Sequence, residues 1–207
     1  MGNYLNDEKK EESAMNKKTK RQQLKKLVEK SIIRDEEKQR IKWNAKASTE
    51  EVLMSLNSSL AGLNETQISR SRMIYGKNQL IENQETNIIQ LILNSLNRPT
   101  CNVVRKYVNL INIPSDELVV GDIVHLTKGD IVPADLRVIQ ADHLILDESV
   151  IEKDRTFVEK GAERCKDEQD KVTDYYNIAL MGTSVIEGSA QAVAFSVGSH
   201  TILGTMS

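Results

Sequence analysis

From Asn102 to Gly198 the apolar residues come in short runs rich in Val, Ile and Leu: NVVRKYVNLINI, ELVVGDIVHLT, PADLRVIQADHLILDES, IALMGTSVIEGS and AQAVAFSVG. Gly121, Gly129, Pro133, Gly182 and Gly188 break these runs. Such runs fit strands, because β-branched side chains pack well on a half-buried pleated surface and Gly or Pro punctuates the turns between them. The pattern predicts a β-rich module over residues 100–207, built as a two-layer sandwich or jelly roll. Within it, KGAERCKDEQDKVTDYYN (Lys160 to Asn177) is charged and without period, and reads as a long surface loop.

Two short helices are expected ahead of the strands, each with a start signal. STEE places Ser48 as N-cap with Glu51 three residues on, and NETQ repeats the arrangement with Asn64 and Gln67. Gly76 follows Tyr75 as a stop, since a left-handed C-cap residue strains glycine least. The fold class that follows is α+β: short N-terminal helices, residues 47–99, packed on a jelly-roll-like, double-stranded β module.

Residues 1–46 differ in kind from the rest. They hold 14 Lys and Arg against 8 Asp and Glu, about +6, so the net charge of −2 leaves about −8 on the remainder. Leu24, Leu27, Val28 and Ile32 recur at helical spacing among lysines, which gives a charged tail, helical or disordered, with a basic flank. Such a flank suits an anionic lipid surface. Nucleic acid is not expected, given the acidic body and the lack of interleaved aromatics. The run NIIQLILNSL, Asn87 to Leu96, is too short and too polar to span a bilayer, which takes roughly 20 apolar residues. The N-terminus has no apolar signal core, so residence in the cytoplasm is expected. Cys101 and Cys165 lack a CxxC partner, and His125, His143 and His200 are scattered, so free thiols and no metal or cofactor are expected. Asp122, Asp130 and Asp135 follow or flank turn residues and are read as turn braces.

Taken together, ELVVGDIVHLTKGDIVPADLRVI (Glu117 to Ile139), LDES (Leu146 to Ser149), VEK (Val158 to Lys160) and MGTSVIEGSAQA (Met181 to Ala192) resemble the actuator domain of P-type cation-transporting ATPases. GDIVPADLRVIQADHLILDES is most similar to the bacterial magnesium-transporting branch. SLAGLNETQISRSRMIYGKNQL (Ser59 to Leu80) resembles the helical segment before the first membrane helix, and NRP (Asn97 to Pro99) the entrance of that helix. The resemblance would place two membrane helices between Arg98 and Arg105, and RPTCNVVR has no room for them.

The resemblance also implies a catalytic loop reading Thr-Gly-Glu-Ser, whose glutamate positions the water that hydrolyses an aspartyl-phosphate. Here DESVIEKDRTFVEK puts Glu152 at the threonine, Lys153 at the glycine, Asp154 at the glutamate and Arg155 at the serine, with Phe157 where proline is usual. Asp154 keeps a carboxylate but is one methylene short. Lys153 removes the freedom of glycine beside a phosphate. Glu152 and Arg155 are expected to pair with Lys153 and Asp154 in a self-satisfied surface turn.

No DKTGT segment and no glycine-rich phosphate loop occurs in the 207 residues. The expected function is therefore a catalytically degenerate actuator-like module, no enzyme by itself, regulatory or accessory to a full-length pump whose phosphorylation or nucleotide-binding domain it would contact. The alternatives are a module that sits on the inner face of the plasma membrane through residues 1–46, and a remnant or fragment of a magnesium or cation pump.

Overall fold

A computed structural model describes residues 34–80, 99–106 and 108–206. The amphipathic pattern of Leu24 to Ile32, the apolar run Asn87 to Leu96 and the NRP element at its first two positions lie outside the described residues. The chain divides into two compact units, Met1–Glu36 and Glu37–Ser207. The second holds the sheet and the helices that cover it.

Its sheet has seven antiparallel strands: β1 (Thr100–Arg105), β2 (Val108–Pro114), β3 (Ile123–Thr127), β4 (Asp135–Asp147), β5 (Val158–Lys160), β6 (Ile178–Ala179) and β7 (Ser184–Ser196). They run in the order β2-β1-β3-β7-β4-β5, with β6 on β4. The sheet is not closed. β1 and β2 form a hairpin in register Thr100 with Pro114, so NVVRKYVNLINI is two strands and not one. β7 runs unbroken through Gly188, where a chain break was expected. The reason is steric. The register of β4 on β7 slips between Asp142 and Ile145, and His143 adopts φ +48°. Opposite it, Gly188 has φ +78°, and a Cβ there would lie 2.1 Å from the His143 carbonyl oxygen. Glycine is thus needed for close approach at a bulge that bends the sheet. Leu136 and Val138 from one half of β4 and Leu144 and Leu146 from the other enter the same core cluster with Val124, Leu126, Ala192 and Ala194.

Period 2 sends the alternate residues to the opposite face, where helices cover them. On α2 (Thr49–Ser55), Val52 and Leu53 pack against Ile123 and Val193. Both predicted capping boxes form. The Glu51 amide donates to Ser48 Oγ and the Ser48 amide to Glu51. The same exchange joins Asn64 and Gln67 at the start of α3 (Glu65–Tyr75), which ends at Gly76 with φ +78°. Each such cap is worth about 1 kcal/mol.

Within this unit, helix α1 covers residues 37–46. Charge groups these residues with the tail, yet they are built into the compact unit. Ile41 and Ala45 are buried with Tyr175, Ile178, Leu180, Phe195 and Ile202. The last of these begins α4 (Ile202–Met206).

Arg137 anchors α1. It lies between Leu136 and Val138 on β4, facing away from their core, and is 1% exposed. Its Nε donates to the Asn44 carbonyl at 2.9 Å, and Nη1 to the carbonyls of Val138 and Ala162. Burial pulls this guanidinium down to about 10. Its acceptors are carbonyls, including one from the last turn of α1, where the helix dipole places partial negative charge. Asn177 Nδ2 donates to the next carbonyl, Ala45, at 2.9 Å, and the Cys165 amide donates to the same oxygen. The helix end is therefore capped by three groups distant in sequence.

Both cysteines are free thiols, Cys101 buried and Cys165 half-buried. Burial pushes the Cys101 thiol up to about 12.

Candidate functional site

Residues 148–157 leave the end of β4, form a tight loop and re-enter the sheet at β5. Main-chain bonds set its shape. The Glu148 amide donates to the Arg155 carbonyl, the Arg155 amide to the Glu152 carbonyl, and the Ile151 and Glu152 amides to the Glu148 carbonyl. Asp147 Oδ1 accepts from the Ser149 amide at 2.9 Å, an Asx turn that starts the loop.

Under the loop lies a buried charge network. Glu148 is 0% exposed and Lys160, on β5, is 2% exposed. Lys160 Nζ stands 2.7 Å from Glu148 Oε1 and donates to the carbonyls of Thr173 and Tyr175, each at 3.1 Å. Burial lowers the Lys160 ammonium, and the Glu148 carboxylate partly opposes that. The other Glu148 oxygen accepts from Arg155 Nε at 3.2 Å. Arg155 Nη1 reaches Asp174 Oδ1 at 2.7 Å and Nη2 the Thr173 carbonyl at 2.8 Å.

The structure separates the four residues singled out from the sequence. Glu152 accepts from Thr173 Oγ1 at 2.9 Å and pairs with Lys171, whose hydrogen bond holds its carboxyl below the usual range. Glu152 and Arg155 thus both turn to the segment 171–174, and the expected pairing with Lys153 and Asp154 does not occur. Lys153 and Asp154 form the exposed tip, and among the described residues neither has an ion-pair partner. Phe157 is 71% exposed at φ +57°, a backbone region that bulky residues enter only under strain.

The segment that receives these contacts lies in the stretch Lys160 to Asn177, whose composition predicts a surface loop. Its second half is built in: Thr173, Tyr175 and Asn177 are buried, and Val172–Asp174 is a 3-10 turn. Aperiodic, charged composition hid this, because Thr173 and Asn177 are polar and held by hydrogen bonds, and Tyr175 alone of the three joins the apolar cluster at α1. A cavity of about 500 Å³ lies between α1 and this segment, lined by Lys38, Lys42, Ile151, Glu152, Lys171 and Thr173 among others. Among the described residues, no group of three or more His, Cys, Asp or Glu side chains could hold a metal ion, and no helix is long and apolar enough to cross a membrane.

Asp122 and Asp130 brace their own turns, as expected, whereas Asp135 holds backbone distant in sequence. Asp122, fully buried, accepts from the Val119 amide and takes a two-pronged bond from Arg105 at 3.0 and 2.8 Å. Asp130 accepts from the amide and hydroxyl of Thr127. Asp135 accepts from the amides of Met181 and Ile202, each at 2.8 Å, and so joins the MGT turn to α4.

Burial pushes the Asp135 carboxyl up to about 7 against the opposing pull of its two amide donors; Glu37 adds to the rise and Arg40 reduces it. The folded state then binds this proton more tightly than the unfolded state does. Its contribution is fully present below about pH 4 and is lost as pH rises towards 7. Urea unfolding at pH 4.5, 5.5 and 6.5 is expected to show stability falling over this window from this group, and D135N to flatten that component. Equal slopes in the two proteins would exclude Asp135 as its source.

Two family profiles match the chain: the P-type ATPase actuator domain over residues 95–207, and the cation transporter/ATPase N-terminus over residues 44–103. Among similar proteins, the magnesium-transporting ATPase, P-type 1 of Escherichia coli (strain K12) is 36% identical over 96 residues, 46% of this chain and 11% of that protein. Its counterpart in Salmonella typhimurium (strain LT2) is 38% identical over 96 residues, 46% of this chain and 11% of that protein. The calcium-transporting ATPase of Bacillus subtilis (strain 168) is 40% identical over 92 residues, 44% of this chain and 10% of that protein. The matched region spans about a tenth of the length of these relatives.

Proposed function

Because the chain belongs to the P-type ATPase actuator-domain family, we propose that it is a catalytically degenerate actuator module, related to magnesium-transporting pumps, that regulates a pump and does not itself hydrolyse a phosphoenzyme. One observation carries this reading: the two charges introduced at the outer positions of the loop, Glu152 and Arg155, are bonded inward to residues 171–174. A loop tied down this way leaves only Lys153 and Asp154 at its tip. Asp154 is about 1 Å short of where a glutamate carboxylate would stand, and a misplacement near 1 Å costs about 10²-fold in rate.

The actuator profile matches residues 95–207 on both sides of the rewritten loop, which supports a module that still occupies the face of a phosphorylation or nucleotide-binding domain. By binding one state of a pump better than another it shifts the cycle towards that state. We place it at the cytoplasmic side of the membrane, where such domains are presented.

The test adds the purified full chain to a magnesium-transporting P-type ATPase in proteoliposomes and follows phosphoenzyme decay and ATPase rate. The expected result is a saturable change in phosphoenzyme lifetime. No change at saturating chain would overturn the regulatory reading. Sedimentation with equal amounts of pump-free anionic liposomes would instead assign the chain to the lipid surface through its basic residues 1–46.

A further inference from the structure

We infer that Arg155 is the positioning residue of the rewritten loop: a three-pronged clamp that makes residues 148–155 and the 171–174 segment move as one body. This goes beyond the proposed function, since it concerns the chain by itself and requires no pump.

The geometry is specific. Each of the three guanidinium nitrogens has its own acceptor, on Glu148, Asp174 and Thr173. These acceptors come from two segments, so the planar fork fixes both the distance and the angle between them. Arg155 also closes the loop through its main chain, donating to the Glu152 carbonyl and accepting from the Glu148 amide. From the opposite side, Lys160 holds the second Glu148 oxygen and the Thr173 carbonyl. Glu152 adds a second strut to the same segment through Thr173 and Lys171.

Apolar packing reaches the loop at Ile151, which rests against the cluster of Ile41, Ala45 and Tyr175. Beyond Ile151 an open cleft of about 500 Å³ lies between Glu152 and α1. The charged contacts therefore decide where the outer part of the loop, residues 152–155, stands. The tip is only Lys153 and Asp154, anchored by struts at both neighbours, so its direction is set by the position of residues 171–174. A displacement of that segment would re-aim the tip.

Amide hydrogen exchange on the full chain tests the clamp. In R155S, the amides of Ile151 and Glu152 and those of residues 171–175 are expected to exchange roughly 10- to 100-fold faster, the size expected for losing charge-assisted bonds. The amides of β3 and β7 are expected to stay as protected as in the wild type. R155K keeps the charge but presents one donor group for three acceptors, and should fall between. D174N leaves the loop sequence intact and should give a smaller rise, and adding it to R155S should give little more. This non-additivity is what a shared clamp requires. Should R155S fold poorly, D174N carries the same test. Unchanged exchange in residues 151–155 of either variant, or a rise spread evenly through β3 and β7, would overturn the inference.

Discussion

Replacing Arg137 by Met is expected to cost about 3–5 kcal/mol and to loosen α1 before the sheet unfolds. The substitution keeps most of the apolar stem and removes the donors to Asn44, Val138 and Ala162. Hydrogen bonds from a charged donor are worth about 1.5–3 kcal/mol each, and a buried carbonyl left without a partner bears its own desolvation penalty. The loss is a large part of the 5–15 kcal/mol typical of a domain. Urea titration measures the total, and hydrogen exchange locates it: amides of residues 41–46 should lose protection first. R137K should recover only part, because an ammonium cannot reproduce the fork that spans a helix end, a strand and a loop. A loss under 1 kcal/mol would mean that water reaches these carbonyls and that the buried cation is incidental.

A transplanted loop should have an equally large effect on chemistry. Putting Glu-Lys-Asp-Arg, as in residues 152–155, in place of Thr-Gly-Glu-Ser in a magnesium-transporting pump is expected to slow phosphoenzyme hydrolysis about 100-fold or more. Two effects combine: the shortened carboxylate at the position of Asp154, and the side chain of Lys153 where glycine allows the backbone to approach a phosphate. Restoring glutamate alone in the transplant should recover little, since Lys153 would remain. Rapid-quench decay of the phosphoenzyme reads both variants. Hydrolysis within about threefold of the parent pump would show that a carboxylate at this position suffices, and the degenerate reading would fall.

Much of the fold was legible because its signals are local. The capping boxes at Ser48 and Asn64, the stop at Gly76 and the braces at Asp122 and Asp130 involve residues close in sequence, and all formed, whereas Asp135 bonds to amides 46 and 67 residues away. The β1–β2 hairpin was missed because Arg105 to Val108 contains no Gly, Pro or Asn to mark a turn. Gly188 was misread as a break because a bulge glycine and a turn glycine look alike until the facing strand is known. At the candidate site, the resemblance singled out residues 152–155, whereas their partners at 171–174 lie in a stretch with no period to place it. Arg137 shows the limit from the other side. Alternation turns it away from the core shared by Leu136 and Val138, but nothing in the strand says that the end of α1 will cover that face.

The contrast between the two thiols gives the chain a built-in reporter. Cys101 is buried in the main core with its thiol pushed up to about 12, which leaves almost no thiolate at neutral pH. Cys165 is half-buried, and its own amide grips the Ala45 carbonyl at the end of α1. With only two cysteines in the sequence, a fluorescent maleimide has a single favoured address in the native protein. That address sits at the seam where Arg137 and Asn177 also hold the helix, so the dye would follow the seating of α1 without any engineered residue.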